Sequence, residues 1–161
     1  MKEFKTASEI NVACAPQLLY EFVTTPMNWV GTHPATKAVR GETASPSNVG
    51  DHWFEVVSPL GGHQFEAEWR VTKADSPRLW QIESNDIGGL PAIVTITYRI
   101  DETSLQSSTG GTGSHFEREM VFSLPDDFPV SEGLRAALTS REGHDTYLVA
   151  VKKRIEGTDR R

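Results

Sequence analysis

The sequence contains little cysteine and no long apolar run. Cys14 is the only cysteine in 161 residues, which excludes an intramolecular disulfide and is typical of a reducing compartment. Residues 1–5 lack the apolar core of a signal peptide, and no apolar stretch approaches the length of a bilayer span. We therefore expect a cytoplasmic protein that does not insert into membranes.

Positive charge is also scarce. The chain has 16 Lys and Arg residues against 22 Asp and Glu residues, which gives a formal net charge of −6. An acidic chain without a basic run argues against nucleic acid or an anionic membrane as the main partner. The basic residues that do cluster lie at the C-terminus and are typical of a solvated helix end: Lys152, Lys153, Arg154, Arg160 and Arg161.

Motifs for common catalytic and metal sites are missing. The histidines show no pair at the short spacing of metal ligands, and Cys14 has no second thiol near it. Nucleophile-elbow, Walker and dinucleotide-binding glycine motifs are absent. The sequence therefore predicts no metal and no cofactor, and it leaves open whether the protein is an enzyme.

Strand-like segments fill residues 3–124, and one long helical segment follows over residues 131–156. Pro16 suits the first turn of a short helix over residues 16–24, after which a helical turn is expected at Asn28. An antiparallel sheet with one apolar face must be covered, and a helix with an apolar stripe can cover it. We predict one α+β domain over residues 1–161, in which a curved antiparallel sheet of about seven strands wraps around a long C-terminal helix.

Alternation of side chains along the strands predicts which residues face the helix. In the first long hairpin, pairing Ser58 with His63 puts a mainly apolar set inside: His52, Phe54, Val56, Phe65, Ala67, Trp69 and Val71. Trp53, Glu55 and Val57 then point outward, and the charges on that outer face argue against a slip by one residue. The later strands place another set inside: Trp80, Ile82, Ser84, Ala92, Val94, Ile96, Tyr98, Ile100, Phe116, Arg118, Met120, Phe122 and Leu124.

The C-terminal helix has one broad face of mainly apolar residues, and Gly143 can kink it. That face contains Leu134, Ala137, Leu138, Arg141, His144, Leu148, Val151 and Ile155. We predict a cavity between helix and sheet that binds a small apolar or aromatic molecule. Its expected walls are Phe54, Val56, Phe65, Ala67, Trp69, Trp80, Ile82, Val94, Ile96, Tyr98, Phe116, Met120 and Leu148.

Five polar or aromatic residues have both a functional and a structural interpretation. Arg118 lies on the apolar face, so it either holds a ligand carboxylate, phenolate or carbonyl, or it forms a structural salt bridge or reaches solvent. In the structural interpretation, His144 and Arg141 are solvated at the cavity mouth. In the functional interpretation, His144 is an acid/base group or a hydrogen-bond donor. Trp29 and His33 follow the first helix, in a region expected to border the cavity. The structural alternative for Trp29 is that it anchors the loop to the core.

Several stretches resemble the START/Bet v 1-like (SRPBCC) superfamily, and its polyketide-cyclase-like members in particular. Residues 10–16 (INVACAP) and 19–24 (LYEFVT) are similar to its opening strand and helix. Asn28-Trp29 followed by His33-Pro34 resembles the loop of polyketide-cyclase-like members, and residues 49–51, 68–71 and 116–119 resemble strand segments. The resemblance covers nearly the whole chain and implies a helix-grip fold.

This resemblance does not choose a function, because the superfamily includes lipid carriers, hormone receptors, cyclases and chaperone cofactors. Ligand binding is the main hypothesis. The alternative is a polyketide cyclase or aromatase-like enzyme with His144, Tyr98 and Arg118 as candidate catalytic residues. A third hypothesis, an adaptor that binds a protein through its sheet, depends on the outward positions of Trp53 and Val57.

Overall fold

A computed structural model describes residues 1–59, 62–104 and 111–159, apart from the side chains of residues 158 and 159. Arg160 and Arg161 of the basic cluster lie outside the described residues. The strands are β1 (Lys2–Val12), β2 (Thr36–Arg40), β3 (His52–Val57), β4 (Phe65–Asp75), β5 (Leu79–Ser84), β6 (Ile93–Ser104) and β7 (Thr112–Leu124). The helices are α1 (Pro16–Val23), a 3₁₀ helix (Pro26–Trp29), α2 (Glu132–Thr139) and α3 (Glu142–Asp159).

The strands form one antiparallel seven-stranded sheet in the order β1-β7-β6-β5-β4-β3-β2. Helices α2 and α3 pack over the sheet with buried Leu138, Leu148, Val151 and Ile155. The predicted helix-grip architecture is confirmed. Within the described part of the chain, no helix is long and apolar enough to cross a membrane.

Short-range signals place the helical pair after β1. Helix α1 begins at Pro16, whose missing N–H costs nothing in a first turn. The Thr24 hydroxyl then donates to the Tyr20 carbonyl at 2.7 Å, and Pro26 opens the 3₁₀ helix. These connections bring the following loop, with His33, to one end of the sheet.

The predicted C-terminal helix is divided into two parts. Ser140 has an extended backbone (φ −69°, ψ 132°) between α2 and α3. Its Oγ lies 3.4 Å from the backbone N–H of Glu142 and accepts a hydrogen bond from it. Serine competes with the helix in this way because its hydroxyl can satisfy a backbone donor at a helix start. The interruption therefore falls before Gly143, and it turns Arg141 and Ala137 toward solvent.

The register of β3 against β4 differs from the prediction by one residue. Trp53 pairs with Trp69 and Glu55 pairs with Ala67. The side chains of Trp53 and Glu55 are only 1% and 6% exposed, so both point inward. The predicted inward positions of Phe54, Val56 and His52 are therefore wrong, and so are the outward positions of Trp53, Glu55 and Val57.

Two local interactions stabilise this register. Glu55 receives hydrogen bonds from Thr36 Oγ1 at 2.5 Å and from Trp69 Nε1 at 2.9 Å, which lowers the cost of burying its carboxylate. On the outer face, the Arg40 guanidinium lies 4.4 Å from the centre of the Phe54 ring. Since Trp53 is buried, the main observation behind the adaptor hypothesis is gone.

The other inner faces agree with the prediction. The fully buried set on β4 to β7 includes Ala67, Trp69, Val71, Trp80, Ile82, Val94, Ile96, Tyr98, Ile100, Phe116 and Leu124. Phe65, Met120 and Phe122 are partly buried against the same core. Trp53 stacks on Trp80 with ring centres 5.9 Å apart, which extends the core to β3.

Candidate functional site

A cleft of about 560 Å³ opens at the break between α2 and α3. The helices form one wall, the loop after the 3₁₀ helix forms the second, and the end of β3 forms the third. The lining residues are His33, Pro34, Ala35, Ser58, Pro59, Ala137, Ser140, Glu142, Gly143, His144 and Thr146. The division of the helix at Ser140 thus creates the opening, and two histidines line it.

A buried polar cluster lies behind His144. Arg118 of β7 is only 4% exposed and donates from Nη1 to Nδ1 of His144. Its guanidinium carbon lies 5.4 Å from the Tyr147 ring centre and 5.9 Å from that of Tyr98. The two tyrosine hydroxyls are hydrogen-bonded at 3.1 Å, and burial raises the pKa of both. Both tyrosines are therefore neutral at physiological pH.

Among the described residues, no carboxylate is in direct contact with Arg118. None of the ion pairs in the described part of the chain includes it. Its Nε is buried without a hydrogen-bond partner among the described residues. The structural salt bridge considered for Arg118 is therefore not formed there. Arg118 instead donates to a neutral imidazole and packs against two tyrosine rings.

Glu55 is a buried carboxyl that interacts electrostatically with Arg118. Burial raises the pKa of Glu55, while the hydrogen bonds from Thr36 and Trp69 and the charge of Arg118 oppose that rise. The two side chains interact across the interior rather than as a contact pair. A buried charge of this kind favours binding of an oxygen that carries negative or partial negative charge.

The two cleft histidines are electrically neutral at pH 7. Burial, followed by the charge of Arg118, lowers the pKa of His144 to about 4, against a smaller opposing effect of Asp145. Burial, Arg118 and His144 together hold the pKa of His33 well below its ordinary value. The His33 ring lies 5.3 Å from that of Tyr147, so the loop histidine and the polar cluster are in contact.

Comparison with solved structures decides the fold. The chain aligns with a START superfamily protein from Mycobacterium smegmatis with a TM-score of 0.70 at 12% identity, over 96% of this chain and 99% of the other. It also aligns with a point mutant of norcoclaurine synthase from Thalictrum flavum in complex with a transition-state analogue. The TM-score is 0.70 at 14% identity, over 98% of this chain and 97% of the other. The chain has the START/Bet v 1-like fold.

The major latex-like protein 151 of Panax ginseng aligns with a TM-score of 0.63 at 12% identity, over 97% of both chains. Among curated proteins, penitrem biosynthesis cluster 1 protein I of Penicillium ochrochloron is 29% identical over 160 residues, which cover 97% of this chain and 99% of that protein. No family model matches the sequence.

Within this START/Bet v 1-like fold, the predicted site residues occupy five different environments. His33 and His144 line the cleft, and Arg118 and Tyr98 lie behind it. Arg141 is exposed and lies 3.6 Å from Asp145 in an ion pair. The remaining residues belong to the core, including Trp69, Trp80, Ile82, Val94, Ile96, Phe116 and Leu148, or, for Phe54 and Val56, to the outer face.

Trp29 serves the structural role that was one of its two interpretations. Its indole N–H donates to the Val23 carbonyl at 3.2 Å, and its ring packs edge-on to Trp53 and Trp80. It therefore anchors the loop that carries His33. The ligand-binding role of the core residues stays a prediction.

Sequence reasoning missed Tyr147 and Glu55. Tyr147 is three positions after His144 and next to Leu148, so a wider helical projection includes it. Glu55 lies two positions after Trp53 and therefore shares its face of the strand. Giving the apolar surface of Trp53 more weight than the charge of Glu55 predicts the observed register. No group of three metal-ligating side chains occurs in the described residues.

Proposed function

We propose that the protein binds a small, mainly apolar or aromatic molecule in the cleft at the α2–α3 break. The observation that supports this most directly is the cleft itself, whose volume of about 560 Å³ lies in the usual range for small-molecule sites. Its walls include Pro34, Ala35, Pro59 and Ala137, and its inner end meets the polar cluster through His144. Apolar walls with a few convergent polar groups are typical of such sites.

The location of the site differs from the one expected from sequence. The apolar rows of β5 to β7 are packed into the core, so we place the ligand at the mouth of the helix grip rather than along those rows. We also place the protein in the cytoplasm, since its single cysteine suits a reducing compartment.

A biosynthetic enzyme is the second candidate. It is favoured by the similarity to a penitrem biosynthesis cluster protein and to norcoclaurine synthase. The cluster argues against His144 as a general base, because Arg118 occupies its Nδ1 and its pKa is about 4. A catalyst of this kind, polyketide-cyclase-like or not, would act by positioning its substrate and by stabilising charge on an oxygen.

The test compares two adjacent alanines of α2. Ala137 lines the cleft, whereas Ala136 is exposed outside it. We expect Ala137→Trp to abolish binding of the fluorescent apolar probe anilinonaphthalene sulfonate and any small molecule retained in native mass spectrometry. Ala136→Trp should bind as the wild type does. Equal binding by both variants would exclude this cleft as the ligand site.

A further inference from the structure

Two histidines in the cleft have the same unusual arrangement, in which Nδ1 of each ring accepts a hydrogen bond from within the protein. The backbone N–H of Ala35 donates to His33 Nδ1 at 3.1 Å. The Arg118 guanidinium donates to His144 Nδ1. A backbone amide and a guanidinium can only donate, so neither Nδ1 can carry a proton.

The tautomer of each ring follows from these bonds. A neutral imidazole has one N–H, and with Nδ1 acting as acceptor that proton must lie on Nε2. Both rings are neutral for the physical reasons given above, namely burial and the nearby positive charge. In the described part of the chain no protein group hydrogen-bonds to Nε2 of either ring, and both residues line the cleft.

We infer that His33 and His144 are fixed Nε2–H donors that hold an acceptor oxygen of the bound molecule, a carbonyl, phenolate or carboxylate. This inference rests on the proposed function, because it takes the cleft to be the binding site. Neither ring acts as a proton acceptor in this arrangement. Arg118 is a positioning residue: it sets the tautomer of His144 and adds its positive charge behind it.

The surrounding charges favour an electron-rich oxygen. Arg118 on β7 is positive, while Tyr98 on β6 and Tyr147 on α3 are neutral. Glu55 on β3 is buried and accepts hydrogen bonds from Thr36 and Trp69. Asp145 lies at the exposed start of α3, where Glu142 lines the cleft. The donors that we place against the oxygen are thus neutral histidines, and the positive charge of Arg118 lies behind His144.

The first experiment tests the tautomers without any ligand. Heteronuclear NMR of the imidazole nitrogens, assigned with His33→Gln and His144→Gln, should show both rings neutral and protonated on Nε2 at neutral pH. Arg118→Met should release His144 into a mixture of tautomers and leave His33 on Nε2, a result that a purely structural role of Arg118 would not give. A ring protonated on Nδ1, or charged at neutral pH, overturns the inference.

The second experiment tests the acceptor with probes of equal shape. Methyl naphthyl ketone should bind about tenfold more tightly than isopropylnaphthalene, the scale of one net hydrogen bond in a buried site. His144→Leu and His33→Leu should each remove most of this preference. His144→Gln should keep part of it, because the glutamine amide places an N–H close to the position of Nε2. His52→Leu, which changes an exposed histidine outside the cleft, is the control and should have no effect.

The outcomes separate the two proposals. If both probes bind equally and Ala137→Trp blocks them, the cleft binds ligands but the paired donors do not select an oxygen, and only the inference fails. If neither probe binds, the proposed function fails and this site assignment fails with it. If naphthoate binds more tightly than the ketone, the oxygen that the site prefers is anionic, and the reverse order identifies a neutral carbonyl.

Discussion

The low pKa of His144 predicts that acid destabilises the fold in a defined pH range. The pKa of a histidine is 6.5 in an unfolded chain, and in the folded protein that of His144 is about 4. Between these values the unfolded state binds more protons than the folded state. The free energy of unfolding that depends on His144 is therefore fully present above pH 6.5 and decreases as the pH falls towards 4.

The size of the effect follows from the two pKa values. Going from about pH 7.5 to about pH 5, protonation of the unfolded state should remove about 2 kcal/mol through His144 alone. His33 adds to the loss, because its pKa is also lowered. Glu55 acts in the opposite sense: its pKa is raised, so protonation relieves the cost of its burial between that raised value and the ordinary 4.5.

A variant isolates the contribution of His144. His144→Gln has no titrating group at this position, so we expect the wild-type advantage over the variant to decrease by about 2 kcal/mol across this range. Urea unfolding followed by tryptophan fluorescence at several pH values and constant ionic strength measures it. A difference that does not change with pH would mean that His144 is solvated and has the same pKa in the folded protein as in the unfolded chain, and the reasoning about its contact with Arg118 would be refuted.

Three further predictions test the interior. Trp53→Ala should cost about 3–5 kcal/mol of unfolding free energy and Phe54→Ala less than half of that, because only Trp53 faces the core. Equal costs in thermal or urea unfolding would contradict the β3–β4 register. Arg118→Met should change stability by less than about 1 kcal/mol, since no described carboxylate contacts Arg118. It should also raise the pKa of His144 towards its ordinary value in an NMR titration, and an unchanged titration would disprove the coupling. Glu55→Gln should keep an acceptor oxygen for the Trp69 N–H, while its amide N–H can donate to the Thr36 hydroxyl. We expect stability at neutral pH to be unchanged or up to about 1 kcal/mol higher, and a clear loss in chemical unfolding would show that Arg118 needs the Glu55 charge.

Sequence alone determined the fold and the faces of the later strands. The alternation in β6 and β7 is long and strongly apolar on one side, so a slip by one residue would expose a whole row of core side chains. Pro16 and Pro26 likewise marked the helical pair through purely local chemistry. Arg118 could be singled out as buried because its neighbours on the same face are Phe116 and Met120.

Tertiary structure decided the register of β3. Both faces of that strand carry aromatic side chains, so the choice depends on the cost of burying Glu55, and that cost is lowered by Thr36 from β2 and by Trp69 from β4. Neither partner is visible in the local pattern around Glu55. A charge is a reliable sign of an outer face only when no distant donor can reach it.

Tertiary structure also made the site. The sequence placed His144 on the C-terminal helix and His33 in the loop after the first helix, but it did not predict the break at Ser140, where the cleft opens beside them. The tautomer of His144 is set by Arg118, which lies 26 residues away in sequence on β7. Whether an imidazole accepts or donates a hydrogen bond depends on which groups surround it in space, and the order of residues along the chain does not contain that information.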